Sequence, residues 1–92
     1  MAVYFVSYKL SKTPNYYNAL HETLQSYEAW MYHQDTTLLL YTKESSKEIY
    51  NKLKPCIDDE DSLLIFRVRN DKEGWLAPES WEWINSAFDT KL

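Results

Sequence analysis

"AWMYHQDTTLLLYT", residues 29–42, is the stretch on which the fold turns. Two runs, AWMYH (29–33) and TTLLLYT (36–42), are built from aromatic, β-branched and aliphatic residues that suit a pleated, packed surface. Only Gln34 and Asp35 lie between them. That gap is too short for a crossover and long enough for a turn, so the two runs read as a hairpin.

Outward from this hairpin the chain repeats itself. On the N-terminal side, AVYFVSY (2–8) reads as a strand and SKTPN (11–15) as a turn rich in breakers. Tyr16 or Tyr17, Leu20, Leu24 and Tyr27 recur at three- and four-residue steps, the apolar stripe of a helix over about 16–27, with Asn15 as its cap. On the C-terminal side, Ser45 and Glu48 form a capping-box pattern, Ile49 and Leu53 share one helix face, and Pro55 ends the helix. DDED (58–61) reads as a polar loop and SLLIFRV (62–68) as the fourth strand. Phe5 and Met31 are separated by as many positions as Leu39 and Ile65, so the halves are of equal length. The order β-α-β-β-α-β, in two equal βαβ halves, predicts an α+β, ferredoxin-like domain over residues 1–69. Its four-stranded antiparallel sheet has the first and third strands central and both helices on one face.

Residues 70–92 extend this unit. NDKEG (70–74) reads as a turn, Pro78 suits a first helical turn, and Trp81, Ile84 and Phe88 form a stripe, so a third helix is predicted over 79–88. Along the strands both alternating sets are apolar: Val3 and Phe5 against Tyr4 and Val6, and Leu63 and Ile65 against Leu64 and Phe66. Two helices cover only one of the faces. The other needs the Trp-bearing extension, a second copy of the chain, or both, because a bare apolar face of that size is costly in water. A homodimer is the expectation.

Composition narrows the function classes. With 45% hydrophobic and 16% aromatic residues, 92 residues suffice for one small core. A single glycine, Gly74, rules out Gly-rich phosphate loops. A net charge of -4 argues against a broad nucleic-acid surface. Lone Cys56 forms no internal disulfide, and no Cys/His spacing suits zinc. No signal-peptide pattern and no long apolar run is found, so a cytoplasmic protein with no membrane span and no resident cofactor is expected.

Several residues carry a sharper reading beside a plain one. Lys9 and Lys12 would contact phosphate, or would be solvated residues leaving a strand. Arg67 and Arg69, two apart on strand four and joined by Lys72, would form a modest basic patch. Tyr4, Tyr8, Trp30, Tyr32 and Tyr41 would supply stacking faces for RNA, but the glycine-containing signature of sheet-based RNA binders is absent, and core or interface packing is the preferred reading. Asp58, Asp59, Glu60 and Asp61 lack the alternating ligands of a calcium loop and read as solvated. His21 and His33 have no metal spacing. Trp75, Trp81 and Trp83 crowd the tail. On a helix Trp81 and Trp83 diverge by roughly 200°, so one should face the core and the other offer an anchor for a protein partner.

"VYFVSYKL" (3–10), "LLLYTKESSKEIYNKLKPCID" (38–58) and "DSLLIFRV" (61–68), followed by a Trp-containing tail, resemble the small ferredoxin-like proteins related to the CRISPR-associated spacer-acquisition dimer, in particular the SinR-like group. The resemblance implies a homodimer in a mobile-element, defence or toxin–antitoxin setting. In nuclease-active relatives an Asp closes the first strand, and paired aspartates of the dimer are proposed to hold a divalent metal such as magnesium. Here Lys9 stands at that position, and an ammonium repels a metal rather than ligating it. The resemblance therefore implies a non-enzymatic interaction or adaptor protein. A metal-dependent endoribonuclease, with Asp35 or Glu44 as substitute ligand, or a nucleic-acid-binding adaptor is the alternative.

Overall fold

The computed structural model describes residues 1–92. Strand β1 (Ala2–Lys9) is followed by a 3-10 turn (Pro14–Tyr17) and helix α1 (Asn18–Gln25). Strands β2 (Ala29–Gln34) and β3 (Thr37–Thr42) form the hairpin, closed by a turn at Asp35 and Thr36. Helix α2 (Ser46–Leu53), a 3-10 turn (Lys54–Cys56), strand β4 (Ser62–Val68) and helix α3 (Pro78–Phe88) complete the chain. The sheet is antiparallel throughout, in the order β2-β3-β1-β4, with the first and third strands central as the doubled βαβ pattern predicts.

Local chemistry accounts for most boundaries. Ser45 Oγ accepts from the Glu48 N–H, and the Glu48 carboxylate accepts from the Ser45 N–H, so both early amides of α2 are satisfied. The Ser45 amide, with its hydroxyl, holds the Glu48 carboxyl below its ordinary pKa. Pro55 does not end the chain's helical path outright; it lies within the tighter 3-10 turn that follows α2. The first helix differs more. Asn15 is not its cap. It lies inside the 3-10 turn, whose entry is Thr13, because Pro14 already sets the first helical position.

The main core lies between the sheet and α1 and α2. Tyr4, Val6 and Tyr8 of β1 and Leu38 and Leu40 of β3 meet Tyr17, Leu20 and Leu24 from one side and Ile49 and Leu53 from the other. Tyr17, rather than Tyr16, supplies the start of the α1 stripe. A second, smaller cluster forms on the opposite sheet face, where Ala87 of α3 meets Val3 and Tyr41 and is flanked by Trp83 and Phe88. No helix is long and apolar enough to cross a membrane.

Candidate interaction surface

Pairing defines rows across the second sheet face. One row runs Ala29, Tyr41, Val3, Val68, and α3 lies over it. The next runs Met31, Leu39, Phe5, Phe66. Here the cover thins: Phe66 is 58% exposed, and Leu64, one step further along β4, is 51% exposed. The extension therefore shields the second face at one end and leaves it open towards β4. Between the sheet and residues 71–76 runs a groove of about 550 Å³, with Phe5, Met31, Leu39 and Trp81 among its walls.

The three tail tryptophans have separate fates. Trp83 packs beside the second cluster, and Trp81 lines the groove with its ring over Gly74. Both are half-buried, so neither is the free anchor that their spacing suggested. Trp75 is the exposed tryptophan, at 99% exposure on the segment leading into α3. Lys72 lies 5.2 Å over the Phe88 ring and bonds Asn70, which folds the start of the extension back on α3.

The predicted basic residues are not brought together. Lys9 pairs with Ser62 at one end of the β1–β4 ladder, and Arg67 pairs with Tyr4 near the other. The parity of the ladder also puts Lys9 on the second face and Arg67 on the helix face. Strand β4 ends at Val68, so Arg69 lies beyond it. Arg67 and Arg69 do border one shallow hollow near the ends of β1 and α3. Lys12 is committed: its ammonium pairs with Asp58 and lies 5.2 Å over the Tyr16 ring. The Asp58 bond holds Lys12 in its charged form, raising its pKa, and the Lys12 and Tyr16 bonds hold the Asp58 carboxyl below its usual range.

The acidic loop contains an unforeseen hub. Asp61 accepts from the Ser11 N–H and hydroxyl at 2.8 Å each, from the Tyr17 hydroxyl at 2.9 Å, and from the Asp58 N–H at 2.9 Å. Burial by itself would raise its pKa; the bonds from Asp58, Ser11 and Tyr17 outweigh this and hold the carboxyl well below the carboxylate range. The hub ties the loop after β1 to the loop before β4. Its partners are far apart in sequence, and no local pattern in DDED distinguishes Asp61 from its neighbours.

At the hairpin end of the sheet His21, Tyr32, His33 and Asp35 border a shallow depression. His21 Nδ1 lies 3.4 Å from the Tyr32 hydroxyl, and the Tyr8 hydroxyl donates to the Asp35 carbonyl at 3.3 Å. Burial, and then the neighbouring Tyr32, push the Tyr8 hydroxyl pKa up. Glu44 accepts from Tyr27 and pairs with Lys52. No three His, Cys, Asp or Glu side chains converge as a metal ion would need. Cys56 is half-buried beside Thr23, with its thiol towards the Lys52 carbonyl. Compared with family models, with curated proteins and with solved structures, the chain matches none.

Proposed function

We propose that this chain is a non-enzymatic, homodimeric interaction module of the small ferredoxin-like kind, related to the CRISPR-associated and SinR-like group and serving as an adaptor in a mobile-element, defence or toxin–antitoxin setting. The observation that carries the dimer is the half-covered second sheet face, with Phe66 and Leu64 both more than half exposed on one strand. Full burial of one such side chain is worth about 1.5–3 kcal/mol and partial cover a share of that, and a twin molecule offers the same surface in return. Trp75 is the anchor left for a further protein partner. The adaptor role and its setting rest on the sequence resemblance, and the non-enzymatic reading on Lys9 at the end of β1 and the scattered carboxylates.

Light scattering coupled to gel filtration tests the dimer. The chain should elute at twice its sequence mass, and Phe66→Asp should return it to the single mass with an unchanged circular dichroism spectrum. A single-mass wild-type chain would overturn the reading. Incubation with magnesium and RNA or DNA should leave both intact; cleavage that Asp35→Ala abolishes would replace the adaptor by a metal-dependent endoribonuclease.

A further inference from the structure

The backbone of β4 points to the way two copies meet. The Tyr8 N–H donates to the Thr36 carbonyl at 3.0 Å, so the even-numbered residues of β1 turn their backbone groups towards β3 and the odd-numbered ones towards β4. Val3, Phe5, Ser7 and Lys9 face Val68, Phe66, Leu64 and Ser62 across the ladder. Those four residues of β4 therefore spend their N–H and C=O groups on β1. Leu63, Ile65 and Arg67 turn theirs outward, at the edge of the sheet. No backbone hydrogen bond outside the regular elements reaches Ser62–Val68.

The two sheet edges differ. The β2 edge carries a register irregularity between Tyr32 and Gln34, a common guard against edge-to-edge pairing. The β4 edge is regular over its length and has neither proline nor lysine; its one charge is Arg67. A regular edge with a single charge, beside an exposed apolar strip, is a template for another strand.

We infer that β4 pairs antiparallel with β4 of a second copy, in the register that sets Ile65 opposite Ile65 and Leu63 opposite Arg67. This rests on the homodimer proposed above and names its interface. The register follows from parity and count. A two-fold axis perpendicular to the sheet keeps like faces on one side, so opposed residues must both be even or both odd. Of the registers that remain, only the one centred on Ile65 gives all three outward residues a strand partner. Centring on Leu64 or Phe66 sends Arg67 or Leu63 past the strand's end. The same register puts Leu64 beside Phe66 of the other copy, twice over, and keeps the two Arg67 side chains apart. A loose peptide would satisfy one β4 edge; a second copy satisfies two at once and leaves only the irregular β2 edges open.

Disulfide trapping on a Cys56→Ser background tests this, because opposed positions in such a ladder lie about 4.5–5.5 Å apart at Cα, within reach of a disulfide. Ile65→Cys should link to itself under mild oxidation, with most of the chain running at doubled mass. As Ile65 is half-buried, a second test uses exposed positions: Leu64→Cys mixed with Phe66→Cys should link faster than either alone. Doubled mass in solution without these links, or with Leu64→Cys linking to itself as fast as in the mixture, overturns the β4 register and leaves the dimer standing. A single mass at the highest soluble concentration overturns both.

Discussion

Asp61 shows how one side chain outside the core can set the relation between two loops. It gathers donors from Ser11, Tyr17 and Asp58, and these bonds favour its charged form. A carboxyl whose folded pKa is depressed contributes stability above its unfolded pKa, about 3.9 for Asp, and loses it as the pH falls towards the folded value. Asp58 and Glu48 are shifted in the same direction. Thermal melts should therefore lose midpoint temperature steeply as the pH is taken from about 5 to about 2. Asp61→Asn should melt lower at neutral pH, because its amide presents a donor to the Asp58 N–H or Ser11, and its midpoint should fall less over the acid range. An identical acid slope in the variant would show that the hub does not couple to folding. Tyr27, like Tyr8, is shifted the opposite way for an acid, by burial and then by its bond to Glu44, so its neutral form persists beyond the ordinary range.

At the scale of the element, α2 is the best-specified piece of the chain. It has two reciprocal cap bonds at its start and two fully buried residues, Ile49 and Leu53, one turn apart. Ser45→Ala removes one cap acceptor and should cost about 1 kcal/mol, a fall of roughly 4–8 °C in midpoint for a domain of this size. Leu53→Ala should cost more, about 2–5 kcal/mol, through the cavity it leaves in the main core. Urea titration ranks the two, and equal costs would contradict this division. Helix α1 shows the limits of reading an element by its stripe. Leu20 and Leu24 are buried as their spacing requires, but the turn before them is 3-10, with Tyr17 tied to Asp61 and Tyr16 to Asp58. Helix α3 matches its predicted span closely. Its two tryptophans nevertheless both settle against the molecule, because the groove beside the sheet accepts one and the Val3–Tyr41 cluster the other.

At the scale of the whole molecule, one sheet carries two unequal layers. The helix face holds twelve buried residues in one cluster, and the other face holds three. That imbalance links the fold to the proposed assembly. If two copies share the exposed β4 strip, folding and association are coupled, and the midpoint of thermal unfolding should depend on protein concentration. Tenfold dilution should lower it measurably in the wild type and leave it unchanged in Phe66→Asp. A concentration-independent wild-type midpoint would count against the coupling.

The sequence by itself determined the element order, the hairpin, the capping box and the central place of β1 and β3. These follow from neighbours a few residues apart, and from pairing rules that leave few ways to arrange two equal βαβ halves. Only the tertiary structure decided which residues of the second face stay open, that Lys9 and Arg67 lie at opposite ends and on opposite faces of the sheet, and that Asp61 rather than its acidic neighbours forms the hub. Those outcomes depend on where α3 comes to rest and on contacts between residues distant along the chain. Hydrophobic spacing tells a residue to find cover, but not which surface will supply it.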